Sequence, residues 1–152
     1  MTDIALTDPT SPAPLAALAA YFAELDRRFP GGFDPGAPAD PALYRAPNGA
    51  FLLAMSEAPL GCVALTRDGP QRGEVKRLWV APPARGQGLA RRLREGIEGC
   101  ARTLHLHELR LDTNGTLTEA VALYTALGWT AIPRYNDNPY AHHWFAKSLA
   151  RV

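Results

Sequence analysis

The stretch that most restricts the fold runs from Glu74 to Leu104. A strand-like segment, Glu74-Val75-Lys76-Arg77-Leu78-Trp79-Val80, meets the break Ala81-Pro82-Pro83-Ala84 and then the loop Arg85-Gly86-Gln87-Gly88-Leu89-Ala90. Paired prolines continue neither a strand ladder nor a helix interior, so the chain must turn here. Leu89, Leu93, Ile97, Cys100 and Leu104 then recur at helical spacing and predict a helix over about 89–104. A helix start leaves about four backbone N–H groups unpaired and carries roughly half a positive charge. Glycines let an anion approach that backbone closely, and the combination is a phosphate cradle. Arg85 and Arg91 stand ready to add charge-assisted hydrogen bonds. Two other phosphate motifs fail. No Gly-Lys-Ser/Thr tripeptide follows, and Arg91 occupies the place where a dinucleotide fingerprint needs a third small residue. Taken alone, the loop also reads as an ordinary turn before a helix.

The rest of the chain frames this turn. Ile4-Ala5-Leu6 suggests a short first strand. Leu15, Leu18, Phe22, Leu25 and Phe29 form a helical stripe, read as core packing, that Pro30-Gly31-Gly32 ends. Residues 30–48 are a long loop, either a lid or irregular structure. Ala50–Met55 and Pro59–Thr66 are apolar strands. Gly96 and Gly99 within the 89–104 helix each cost about 1 kcal/mol against alanine, which close packing on a sheet would explain. Glu108–Thr113 alternates charged and apolar residues like a half-buried strand. Thr116-Leu117-Thr118-Glu119 fits a capping box, with Thr116 at the N-cap. The helix it opens carries Leu117, Ala120, Val121, Tyr124 and Leu127 on one face and stops at Gly128. Trp129–Ile132 and His143–Leu149 read as closing strands around the loop 133–142. An N-terminal helix followed by β-β-β-α-β-α-β-β implies an α/β chain: a mixed sheet with helices on its faces, one domain over 1–152.

Composition excludes several functions. A net charge of +1 supplies no field for nucleic acid or anionic lipid, so neither is expected as a partner. No apolar run reaches the ~18 residues of a membrane span, and no basic-then-apolar leader opens the chain, so a cytoplasmic protein is expected. Cys62 and Cys100 have no metal-binding spacing and read as small buried hydrophobes. His105, His107, His142 and His143 lack supporting ligands, so no metal is expected.

At this point the chain resembles the GCN5-related N-acetyltransferase (GNAT) superfamily. Arg85-Gly86-Gln87-Gly88-Leu89-Ala90 matches its Gln/Arg-x-x-Gly-x-Gly/Ala signature position by position. Val75–Pro82 resembles the family's fourth strand and its exit, Leu109–Asn114 its fifth strand, and Ala120–Trp129 the following helix. The likeness covers about residues 50–150. The first strand is poorly matched, and Ile132–Tyr140, with Tyr135-Asn136-Asp137-Asn138-Pro139-Tyr140, is similar to a bacterial subset of the family. The resemblance implies a GNAT-like fold: a mostly antiparallel twisted sheet, splayed central strands and helices on both faces.

It also implies a chemistry. Acetyl-CoA is the expected cofactor, with its pyrophosphate on Arg85, Gly86, Gln87, Gly88, Leu89, Ala90 and Arg91. Its pantetheine arm would pair with Leu78, Trp79 and Val80 like an added strand. A backbone N–H near Leu78 or Trp79 would polarise the thioester carbonyl. Asn114 is similar to a residue that hydrogen-bonds the pantetheine, though capping its own turn is an equal alternative. Tyr124 matches the family tyrosine that protonates the leaving thiolate; the other reading is a buried aromatic. Glu74 aligns with the general base of histone-type members, and strand alternation places it on one face with Lys76, Leu78 and Val80. The alternatives are a water chain as base, or a plain Glu74–Lys76 or Glu74–Arg77 ion pair. Tyr135, Asn136, Asp137, Asn138 and Tyr140 suit a small amine, with Asp137 facing its ammonium, or else form a turn that satisfies its own backbone. The expected activity is acetyl transfer to a primary amine of a small molecule or peptide, by direct attack in a ternary complex. A catalytically silent acyl-CoA-binding or regulatory module is the alternative, and a homodimer is left open.

Overall fold

The computed structural model describes residues 2–149; Met1 and residues 150–152 of the expected domain lie outside the described residues. The elements are β1 (Asp3–Leu6), α1 (Pro12–Arg28), β2 (Gly49–Met55), β3 (Pro59–Arg67), β4 (Arg72–Val80), α2 (Leu89–Thr103), β5 (Glu108–Thr113), α3 (Thr118–Ala126), β6 (Thr130–Ala131) and β7 (His143–Ser148). The strands form one sheet in the order β1-β2-β3-β4-β5-β7-β6. Every pairing is antiparallel except β4 with β5, which α2 connects as a crossover. The poorly matched first strand is present: Ile4 pairs with Ala54 and Leu6 with Leu52. No described helix is long and apolar enough to cross a membrane.

Both faces of the central strands are covered, which explains why β2 and β3 are continuously apolar rather than alternating. Leu52, Val63, Leu65 and Val75 pack with Leu89, Leu93 and Ile97 of α2, and with Tyr124 of α3. On the other face, Phe51, Leu53, Cys62, Ala64 and Trp79 pack beneath Ala17 and Tyr21 of α1. The expected cost of Gly96 has a cause here, because a Cβ on it would come within 2.9 Å of Leu52 Cδ1. A Cβ on Gly99 would meet nothing, so its presence has no packing explanation.

Three expectations need correction. Of the α1 stripe, Leu25 and Phe29 are buried and Leu18 packs on the core, but Leu15 is 53% exposed and Pro14, Ala17 and Tyr21 join the sheet-facing line. The small side chain of Ala17 lets the helix lie close to the sheet. The capping box does not form. α3 begins at Thr118 behind Leu117, without a side-chain cap. Asn114 Oδ1 accepts from Thr116 N and Oγ1 at 2.8 and 2.7 Å, and Glu119 pairs with Arg28 of α1 instead. A nearer amide acceptor and a full cation outcompete the box. Third, Glu74, Lys76, Leu78 and Val80 do not share a face. The register against β3 slips between Cys62 and Ala64, so Arg77 and Leu78 together oppose Val63. Arg77 takes φ +59°, rare for a residue with a Cβ. This bulge inverts the alternation: Val75 and Leu78 face α2, whereas Trp79 faces α1.

Candidate functional site

The parallel ladder between β4 and β5 is short. It runs Arg72–Glu108, Gly73–Leu109, Glu74–Arg110, and ends. Beyond Glu74 the β4 edge facing β5 has no strand partner, and the two strands diverge. The cleft has two lobes of about 380 and 370 Å³ that share Tyr21, Leu25, Leu78, Leu117 and Ala120.

The first lobe reaches the glycine turn. Trp79, Val80, Arg85, Gly86, Gly88, Leu89, Ala90 and Arg91 line it together with Leu78. Gly86 and Gly88 both have φ +79°, where a side chain is strained, and a Cβ on either would meet nothing within 4 Å. The turn is therefore open on its outer side. Gly88 is the N-cap of α2 and offers no side chain to the first-turn N–H groups. Gln87 donates from its side-chain amide to Pro83 O at 3.4 Å. Arg85 turns its guanidinium to Glu24 and to Val80 O, so its fork is already engaged. Trp79 Nε1 is buried and has no acceptor among the described residues. An open, uncapped glycine turn beside an unpaired strand edge suits an extended ligand that carries a diphosphate.

The second lobe is built from side chains. Glu74, Lys76, Arg77, Asp112, Asn114, Tyr124, Asn136, Asn138 and Tyr140 line it, with an aromatic wall of Phe22, Phe29 and Phe33. Glu74 accepts from Tyr135 Oη at 2.9 Å and pairs with Lys76 at 3.0 Å. The expected Glu74–Lys76 pair therefore exists, but on the wall of a cleft. Tyr135 lies under Arg110, 5.0 Å from ring centroid to guanidinium carbon. Burial and the neighbouring Glu74 carboxylate push its phenol well above the ordinary range. Asn114 is buried. Its amide donates to Tyr140 O at 2.6 Å while its carbonyl serves Thr116, so the capping alternative is realised.

Tyr124 is 5% exposed and lines the second lobe. Burial pushes its pKa up to about 12, with the Arg94 cation opposing and Asp112 adding. Arg94 is itself buried between the Tyr124 and Trp129 rings, at 5.1 and 4.9 Å, and bonds Glu98 at 2.9 Å. Tyr124 is therefore a packed aromatic that also borders the cleft.

The loop 133–142 behaves unevenly. Asn136 and Asn138 donate to the two oxygens of Asp112, at 2.6 and 3.1 Å. Tyr140 stacks with Phe29 and packs tilted against Phe33, and its hydroxyl accepts from Asp34 N at 3.0 Å. Asp137 corrects the expectation of an ammonium partner: it is fully exposed, outside both lobes, near Arg134. The cleft carboxylate in that region is Asp112, which sequence reasoning missed; the alternation Glu108, Arg110, Asp112 was the available signal. Arg77 and Arg94 were missed as well, since nothing in the sequence announces a bulge or a stacked buried cation. His142 accepts from Gly115 N at 2.9 Å and His143 stacks on Phe145, both structural roles. Burial pushes the Cys62 thiol up to about 12, away from thiolate character; Cys100 is half-buried.

The comparisons agree with this geometry. A model of the acetyltransferase (GNAT) family matches residues 18–129, and the chain belongs to that family. A protein of Schizosaccharomyces pombe, named an uncharacterized N-acetyltransferase, is 38% identical over 99 residues. That match covers 63% of this chain and 61% of the relative. A GNAT-family acetyltransferase structure from Staphylococcus aureus superposes with a TM-score of 0.85, at 15% identity, over 99% of this chain and 100% of its own. Another from Elizabethkingia anophelis, with acetyl-CoA bound, gives 0.68 at 17% identity, covering 97% and 98%. The fold is therefore that of the family: a mostly antiparallel sheet with helices on both faces.

Proposed function

We propose that this chain is an acetyl-CoA-dependent N-acetyltransferase acting on a primary amine by direct attack in a ternary complex. The observation that supports this most is the early end of the β4–β5 ladder at Glu74, opening a cleft continuous with the glycine turn. Acetyl-CoA, when bound, supplies the activated acetyl group as a thioester. Backbone N–H groups of Gln87 to Arg91 hold its pyrophosphate at the α2 N-terminus. Arg91, on the lobe wall, adds charge; Arg85 does so only if it leaves Glu24. The free edge at Leu78, Trp79 and Val80 would hold the pantetheine, and an N–H near Leu78 or Trp79 would donate a hydrogen bond to the thioester oxygen.

The amine comes from the second lobe. Its neutral nitrogen forms the new C–N bond as the C–S bond breaks. Glu74, directly or through water, takes the proton lost by nitrogen, and Tyr124 returns one to the thiolate. A phenol with its pKa near 12 is protonated throughout the neutral range, as a donor must be. The two cysteines offer no acyl acceptor, because Cys62 is buried against the α1 face and Cys100 lies on α2 away from both lobes. The test is thiol release from acetyl-CoA across an amine panel. Amine-dependent release with the N-acetyl product supports the assignment; tight acetyl-CoA binding with no transfer to any amine would overturn it.

A further inference from the structure

Four charged side chains line the amine lobe: Glu74, Lys76, Arg77 and Asp112. Three are already answered. Glu74 pairs with Lys76 at 3.0 Å, and Tyr135 donates to its other oxygen. Asp112 is held on both oxygens by Asn136 and Asn138. Arg77 is different. Among the described residues it has no carboxylate partner. Its guanidinium lies 5.1 Å from the Phe22 ring centroid and 5.5 Å from that of Tyr44. Aromatic faces hold the flat of a guanidinium and leave its edge of N–H donors free. The bulge that places it there keeps a non-glycine residue at φ +59°, the kind of strained backbone that persists where it serves a site.

We infer that the acceptor carries a carboxylate beside its amine, and that Arg77 binds it as a substrate-specificity residue. The inference rests on the transfer reading above and names its substrate class. The forked donors of arginine match the two oxygens of a carboxylate. Arg77 also directly precedes Leu78, where the two lobes meet and transfer takes place. Arg77 and Leu78 both line the amine lobe, so one small molecule can reach both, and an amino acid is the simplest that carries a carboxylate and an amine together. Phe22, Phe29, Phe33 and Tyr140 line the rest of the lobe, so the remaining side chain of the acceptor is apolar or aromatic. A lobe of about 370 Å³ suits a single such molecule. A peptide N-terminus lacks the adjacent carboxylate and should be a poor acceptor.

The test compares L-phenylalanine and L-leucine with their carboxamides, first by calorimetry in the presence of CoA and then by thiol release. The wild-type protein is expected to prefer the acids by at least about 30-fold, the scale for one desolvated charge pair. Arg77→Gln should bring that ratio to near one, and Arg77→Lys should restore part of it. CoA binding, measured for each variant, reports on folding; should Arg77→Gln not bind CoA, the wild-type ratio decides alone. Equal binding of acids and amides, no binding of either, or an unchanged ratio in Arg77→Gln overturns the inference. Acids that bind through Arg77 but are never acetylated would overturn the transfer reading and leave the carboxylate site standing.

Discussion

The two lobes of the cleft are made of different material. The glycine-turn lobe is mostly backbone: helix-start N–H groups, two glycines at φ +79° and an unpaired strand edge. The amine lobe is mostly side chain, drawn from α1, β4, β5 and the 133–142 loop and locked by Glu74–Tyr135 and Asp112–Asn136 contacts. A backbone site recognises what is invariant in a ligand and tolerates change in the residues around it. A side-chain site can be rebuilt residue by residue, and it carries specificity. Substitutions should therefore separate cleanly, with cofactor affinity moving in one lobe and amine kinetics in the other.

The largest expected effect lies between the lobes. Tyr124→Phe should lower kcat by about a thousandfold while acetyl-CoA affinity is unchanged, since general-acid contributions run to that scale; full turnover would strip the residue of its role. Next is Gly88→Val. The new side chain meets nothing in the protein, yet strains φ +79° and covers the cradle. Losing two hydrogen bonds to a charged group, at roughly 1.5–3 kcal/mol each, predicts at least about a 100-fold weaker acetyl-CoA affinity by calorimetry. Unchanged affinity would mean the anion binds elsewhere. On the other side, Asp112→Ala releases Asn136 and Asn138 and should raise KM for the amine by about tenfold, the effect of roughly 1.4 kcal/mol, with cofactor affinity intact. A change in both would show that the lobes are mechanically coupled.

The smallest effect concerns the tie between α1 and α3. The Arg28 cation holds the Glu119 carboxyl below its ordinary value. A depressed carboxylate pKa stabilises the fold above the unfolded value and loses that contribution as pH falls through the folded one. Glu119→Gln should thus lower stability by less than about 1 kcal/mol at pH 7, because the pair is largely exposed, and by nothing once the carboxyl is protonated. Denaturant melts at pH 7 and at a series of lower pH values would show the difference fading as the carboxyl protonates.

The contrast between lobes also sets what the sequence revealed. Glycine spacing, a proline break and a helical stripe are local signals, so Gly86, Gly88 and the start of α2 at Leu89 could be read directly. Tyr124 and Glu74 were placed by resemblance, and both line the cleft. Interactions between distant segments left no local trace. Asp112 meets Asn136 across 24 positions, and Arg28 meets Glu119 across 91. The capping box failed on both counts: Glu119 goes to the distant Arg28, while Thr116 goes to Asn114 only two positions away. Asp137 is the acid that a loop offers in the sequence, whereas the fold shows that Asp112 lines the cleft.

The extra residue at Arg77 has an evolutionary reading. Val75 and Leu78 face the α2 core and Trp79 the α1 core, which is the order that plain alternation would give if Arg77 were absent. Deleting Arg77 would therefore leave Leu78 and Trp79 in their cores and remove only the guanidinium beside Phe22. The extra position is an insertion that adds one side chain to the cleft without disturbing the packing on either side of it.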